Sequence, residues 1–164
     1  MLALKTAVFV TFVVSSFLVG IPYLISRLTE ASLSYDIGPF RWLGFLPLLP
    51  AAVLFFSTMF NLMHFGRGTP APFDPPKELV VRGPYRYTRN PGYLGAVTIV
   101  AGESVVLQSY GVLIYAGVIF TIFHLFVSLY EEPGLRVRFG KVYLDYCREV
   151  PRWISRLPRQ RPSA

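Results

Sequence analysis

Two stretches of the 164-residue chain carry side chains able to do chemistry: the acidic doublet Glu131-Glu132, followed at once by Pro133, and the run Gly83-Pro84-Tyr85-Arg86-Tyr87-Thr88-Arg89-Asn90-Pro91-Gly92-Tyr93-Leu94-Gly95. The doublet closes an apolar stretch. Two carboxylates there add negative charge where a helix dipole is already negative, so helix stability alone would not choose them. They need a cationic partner, either an arginine of the neighbouring loop or tail or the ammonium group of a ligand. In the other run, Asn90 suits an N-cap and Pro91 the first helical position, so a helix is expected to begin at Pro91. The backbone N–H groups of Gly92, Tyr93 and Leu94 would then point back at the loop and make a seat for an anion. The plainer reading is a basic membrane-proximal loop with a well-formed cap.

Other ionisable groups surround these two. His124 precedes Glu131 by seven residues, with Ser128 between them at i+4, so all three are expected on one helical face. A histidine there is either a hydrogen-bonded structural residue or a base. Glu103 falls inside an apolar run, where ionisable groups are functional candidates by default, but well above the cytoplasmic end; a packing or substrate-side role is expected. His64, at the end of another apolar run, could face the same pocket. The lone Cys147 cannot form an internal disulfide, and with His64 and His124 it has no zinc-ligand spacing, so no metal is expected.

The elements that must position these groups are membrane helices. Hydrophobic residues make up 53% of the chain and charged residues 15%, which points to an integral membrane protein rather than a soluble one. A net charge of +7 in so apolar a chain marks a cytoplasmic membrane face, and with no nucleic-acid-binding motif no nucleic-acid partner is expected. Four apolar runs, residues 5–25, 42–65, 91–107 and 112–130, are each expected to cross a hydrocarbon core about 30 Å thick. A cleaved signal peptide is the alternative for the first, but the run is longer than a usual h-region and no small-x-small site follows. Pro47 and Pro50 are expected to kink the second run.

Between the second and third runs lies a proline- and glycine-rich loop, 66–90, with Arg67, Lys77, Arg82, Arg86 and Arg89 against Asp74 and Glu78. A loop of this length is uncommon unless it has a job. The brief Gln108-Ser109-Tyr110-Gly111 connection implies an antiparallel hairpin. Beyond the doublet, Leu135, Phe139, Val142, Tyr143 and Tyr146 recur at helical spacing, with Arg136, Arg138, Lys141, Asp145 and Arg148 elsewhere. This predicts an amphipathic helix over 134–148, lying along the interface or folded over a site and ended by Val150-Pro151-Arg152-Trp153. The expected whole, residues 1–164, is a single all-α domain with about four transmembrane helices and a C-terminal interfacial helix. Its basic loop and tail, and both termini, face the cytoplasm.

One cytoplasm-facing site would thus gather a helix start with nearby arginines, a carboxylate pair and aromatic rings. A ligand with a carboxylate, an ammonium and an aromatic base fits these groups; S-adenosyl-L-methionine has those parts, as do other molecules, and residue types alone do not choose among them. The motifs are more specific. Gly68-Thr69-Pro70 … Pro75-Pro76-Lys77-Glu78-Leu79-Val80 … Gly83-Pro84-Tyr85-Arg86-Tyr87 … Arg89-Asn90-Pro91-Gly92-Tyr93-Leu94-Gly95, then Tyr130-Glu131-Glu132-Pro133 … Leu135 … Phe139-Gly140 … Tyr143 … Tyr146 … Val150-Pro151-Arg152, resemble the membrane methyltransferases of the isoprenylcysteine carboxyl methyltransferase and phospholipid N-methyltransferase superfamily.

The resemblance implies S-adenosyl-L-methionine bound at the cytoplasmic helix ends and methylation of a lipid-like or prenylated acceptor arriving from the bilayer. It carries the cofactor contacts to Lys77, Glu78, Leu79, Val80 and Tyr85, to Asn90, Pro91, Gly92 and Tyr93, and to Glu131 with Glu132 beside it. Less directly, it carries a phospholipid-type motif to Thr58, Met59 and Phe60. His124, Glu131 and Arg89 form the expected catalytic set, His124 serving as base if the acceptor is an amine or hydroxyl. Two departures stand out. Asn90 replaces the histidine usual in isoprenylcysteine enzymes, and Val127 stands where they place the arginine that meets the substrate carboxylate. The expected activity is isoprenylcysteine-type methyl transfer, with phospholipid N-methylation as the alternative and a non-catalytic assembly factor of the same fold as a further one. A transporter would call for inverted repeats or paired broken spans, and the sequence has neither.

Overall fold

The computed structural model describes residues 12, 15–66 and 77–154. The start of the first expected span lies outside these residues, as do Arg67, Asp74, Gly68-Thr69-Pro70 and Pro75-Pro76 of the loop. Among the described residues the chain is helical, and its one β feature is an isolated bridge between Ser34 and Ser109.

Helix α1, Ser16–Leu28, opens with a π turn over Ser16–Gly20. A 3₁₀ stretch, Gly38–Gly44, leads into α2, Phe45–Phe65, with Pro47 in the first turn, where no intrahelical N–H is lost, and Pro50 inside the helix. Helix α3, Pro91–Val106, starts at the expected proline. Helix α4, Tyr110–Phe126, starts two residues before the expected 112 and runs through a π turn, Val127–Glu131, into α5, Glu132–Glu149. Gly38–Phe65 and the continuous Tyr110–Glu149 are long and apolar enough to cross a membrane; Ser16–Leu28 and Pro91–Val106 are apolar but shorter.

Helices α2 and α3 lie close together because small residues face each other across the contact: a Cβ on Gly102 would sit 2.9 Å from the carbonyl oxygen of Gly44. In a lipid environment such backbone proximity supplies the dispersion contacts that hydrophobic exclusion cannot. Val100 and Val112 are fully buried at the centre, with Phe55, Met59, Ala96, Ala116 and Ile119 around them. The outward surfaces of α2 and α4 are apolar and open, as at Leu49, Val53, Ile114 and Ile122, which is what contact with acyl chains requires. The α3–α4 turn is tied to the segment after α1: Tyr35 N–H donates to the Gln108 carbonyl at 3.0 Å and Gln108 Nε2 to Asp36 Oδ1 at 3.0 Å.

Helix α5 begins and ends slightly outside the expected 134–148 and breaks at Gly140, whose φ of 52° belongs to the left-handed region. Tyr143 and Tyr146 are buried, with Leu135 and Phe139 against them. Val142, expected on that face, is instead 65% exposed, two residues past the break at Gly140. After α5 the chain returns to the loop before α3, where Arg89 N–H donates to the Pro151 carbonyl at 2.9 Å.

Candidate functional site

The π turn between α4 and α5 decides what each glutamate does. Seven α-helical residues advance about 700°, so His124, Ser128 and Glu131 would share a face in a regular helix. A π turn spends one residue more per turn, which rotates everything after it back by roughly 100°. Glu132 therefore takes the place expected of Glu131. Ser128 Oγ donates to the His124 carbonyl, Arg152 Nη1 donates to Ser128 Oγ at 3.2 Å, and the same guanidinium forks onto Glu132, Nε to Oε1 at 2.8 Å and Nη2 to Oε2 at 2.9 Å. Arg89 adds a contact to Glu132 at 3.2 Å and Arg136 another at 3.7 Å. Burial alone would raise the Glu132 carboxyl, but the Arg152 hydrogen bonds and the charges of Arg89, Arg152 and Arg136 hold it below the ordinary carboxylate range.

Glu131 turns the other way. Its Oε2 accepts from the Tyr93 hydroxyl at 3.1 Å, and among the described residues no lysine or arginine pairs with it. Burial pushes its carboxyl up, the Tyr93 hydroxyl opposes that rise, and the neighbouring Glu132 charge adds to it. The doublet is thus divided between its members: Glu132 is neutralised by arginines, as the plainer reading expects, and Glu131 is a carboxylate without a cation among the described residues.

Glu131 opens on a small, partly open cleft between the loop, the start of α3 and α5. Its polar lining includes Glu78, Tyr85, Arg89 and Asn90, and its apolar walls include Leu62, Leu79, Val80, Val127 and Phe139. The loop is held over it by Tyr146, whose hydroxyl donates to the Tyr85 carbonyl at 2.7 Å. Burial first, and then the Glu131 charge, keeps the Tyr85 phenol well above its ordinary value. At Gly83 the backbone turns through φ +56°, and a Cβ there would lie 2.8 Å from Asn61 Oδ1, so the loop reaches α2 only with glycine at this position.

The start of α3 differs from the expected cap. Asn90 occupies the N-cap position, but its side chain makes no cap bond; Nδ2 donates to the Arg152 carbonyl at 3.1 Å, beside the Thr88 hydroxyl at 2.9 Å. Leu94 N–H is also spent, on the Asn90 carbonyl at 3.1 Å, which leaves Gly92 and Tyr93 as the first-turn donors ahead of it. Pro91 is fully buried, and Gly92 packs on Thr58 and Met59 of α2, whereas Phe60 is exposed.

Several expected site residues lie elsewhere. His124 is not on the cleft wall: its Nδ1 accepts from Trp153 Nε1 at 3.0 Å, and its ring sits between Phe120 and Trp153. With that lone pair occupied, the neutral ring carries its proton on Nε2, an arrangement that lends no support to the role of base expected of it. Arg89 reaches the cleft, but its Nη groups are engaged by Glu132 and Cys147. Lys77 is exposed off the cleft and uses its N–H on the Gly66 carbonyl at 2.8 Å, and His64 stacks on Phe60 away from it. Glu103 sits twelve residues along α3 from Pro91, about 18 Å at the helical rise. Arg152 was missed as a site residue; its signal was the basic residue next to a chain-reversing proline, directly after an amphipathic helix.

Among the described residues, a helical fold with long apolar helices thus brings a helix start, a Gly-Pro-rich loop and a carboxylate without a cation together at one cleft. The sequence profile of the phospholipid methyltransferase family matches residues 39–142, from the approach to α2 through the first half of α5. The chain belongs to that family, as the motif resemblance implied, and is a membrane methyltransferase acting on lipid. No curated protein matches it.

Proposed function

We propose that the chain is one domain of four membrane crossings that uses S-adenosyl-L-methionine to methylate a lipid-borne acceptor at a site facing the cytoplasm. The observation that carries this reading is Glu131, a half-buried carboxylate on the cleft with a phenol but, among the described residues, no cation for a neighbour. An ammonium group is the partner it lacks. The positive end of the α3 dipole, with the first-turn N–H groups of Gly92 and Tyr93, suits a carboxylate. Leu79, Val80 and Tyr85 offer apolar and aromatic surface to a nucleoside. The residues therefore fit the cofactor, which when bound supplies an electrophilic sulfonium methyl group.

What the chain adds is placement and exclusion of water. In-line methyl transfer needs little covalent help, and holding acceptor and methyl in line accounts for most of the catalysis. Val127 is 1% exposed and apolar where a carboxylate-binding arginine would stand, and Arg89 and Arg152 are engaged by Glu132. A prenylated carboxylate as the acceptor would have to be met by groups other than these, whereas a phospholipid amine needs no such partner. The cleft side carries Arg82, Arg86, Arg136, Arg138, Lys141 and Arg148, which supports its cytoplasmic orientation.

Calorimetry on the detergent-purified protein tests the reading. S-adenosyl-L-methionine should bind, and Glu131→Ala should weaken it by about 2 kcal/mol, the worth of a charge-assisted contact. No binding at millimolar cofactor by folded protein would refute it.

A further inference from the structure

The segment after α5 does more than end a helix. Arg152 touches three parts of the cleft's frame: the start of α3, the π turn and the first turn of α5. Its carbonyl accepts from Thr88 and from Asn90 at the start of α3; its guanidinium forks onto both oxygens of Glu132 and reaches Ser128 on the π turn. Its neighbours hold it in place: the Pro151 carbonyl accepts from Arg89 N–H at 2.9 Å, and Trp153 donates to His124 at 3.0 Å.

We propose that Arg152 is a positioning residue for the cofactor cleft: through Glu132 it aims Glu131, and through its carbonyl it sets Asn90. The inference rests on the cofactor reading above and adds to it a residue that need not touch the ligand. Glu131 and Glu132 share a peptide unit, so pinning both oxygens of Glu132 restricts the turn that points Glu131 into the cleft. The other two cations cannot substitute for this. Arg89 contributes one contact at 3.2 Å, and Arg136 stands at 3.7 Å with more than half its side chain in solvent. A bidentate fork supplies direction as well as charge. Arg152 also offsets the Glu132 charge that would otherwise disfavour an ionised Glu131.

The groups facing this carboxylate pair are Tyr93 from α3, Tyr85 and Glu78 from the loop, Arg89 and Arg136 beside Glu132, and Tyr143 and Cys147 from α5. None is altered by substitution at position 152, so a change in pH response there reports the removed guanidinium. The experiment measures S-adenosyl-L-methionine affinity between about pH 5 and 8 in detergent. It compares wild type, Arg152→Gln, Arg152→Lys and the double variant Glu132→Gln/Arg152→Gln, with the folded fraction of each established by gel filtration and thermal unfolding.

Arg152→Gln is expected to bind at least tenfold more weakly at pH 7 and to lose affinity at a higher pH than wild type, because an uncompensated Glu132 makes Glu131 harder to ionise. In the double variant that acid limb should return to the wild-type position or below it. Arg152→Lys should restore the limb without full affinity, since it supplies charge without the fork; Arg152→Met, likewise uncharged, replaces the glutamine variant if that one does not fold. Wild-type affinity and an unmoved limb in folded Arg152→Gln, or in folded Arg152→Met in its place, would overturn the proposal. So would a loss of affinity that leaves the limb unmoved in every variant, as expected of a merely structural residue. Failure of wild type itself to bind would overturn the cofactor reading, a result distinct from either.

Discussion

Replacing Glu132 by glutamine keeps the shape of the side chain and removes one charge from beneath three guanidinium groups. Its side chain is 3% exposed, and those of Arg89 and Arg152 are 12% and 30% exposed, so solvent screens these contacts little; Arg136, at 55%, adds less. Removing one partner of a buried ion pair costs about 3–5 kcal/mol because the opposite charge stays behind. In a chain of this size that lowers Tm by roughly 6–20 °C. The assay is thermal unfolding in detergent followed by tryptophan fluorescence at several pH values. Because the folded state holds the Glu132 carboxyl below its unfolded value, the stabilisation is complete above the unfolded value near 4.5 and fades as pH falls through the lower folded value. The gap between wild type and variant should therefore close in acid.

Glu131→Gln should behave oppositely. The carboxyl of Glu131 is raised in the fold, so its ionisation opposes stability at neutral pH, and the glutamine variant should melt no lower than wild type while binding cofactor at least tenfold more weakly. A stable Glu132→Gln protein beside an unstable Glu131→Gln protein would refute the division of roles.

Other consequences concern the loop and the histidine. Gly83→Ala places a side chain at φ +56° against Asn61 and should cost about 1–2 kcal/mol from the backbone alone; a lowered Tm with weaker cofactor binding in the same titration would follow, since Tyr85 is two residues away. His124→Gln should reduce the methylation rate less than tenfold and leave the shape of its pH profile unchanged, since Nδ1 is already bonded to Trp153; a loss of 10²-fold or more with a vanished pH limb would make His124 the base. Trp153→Phe removes that same bond and should lower stability by about 1 kcal/mol, read by unfolding of the purified variant.

The sequence was most legible where local chemistry fixes local structure. Pro91 after Asn90 announced the first residue of α3, and the short polar run at Gln108-Ser109 announced the α3–α4 turn. The uneven charge of the doublet announced a partner but could not divide it, because that division depends on a single extra residue in the π turn, whose cause spacing rules do not capture. The same rule put Val142 inward with Tyr143 and Tyr146, and only the two tyrosines are buried. Asn90 was legible as a cap by type, yet the side chain went to a carbonyl sixty-two residues away, and no local pattern reports such a contact. Arg152 escaped notice for the same reason: its importance lies in three elements meeting, not in its own neighbours.

Transfer of the methyl group itself is the most direct test. Purified protein, radiolabelled S-adenosyl-L-methionine and a total membrane lipid extract are incubated together, and the organic phase is counted and resolved. The account predicts label in a lipid with wild type and at most a tenth as much with Glu131→Gln. Label that never enters lipid, or that enters it equally with both proteins, would contradict it.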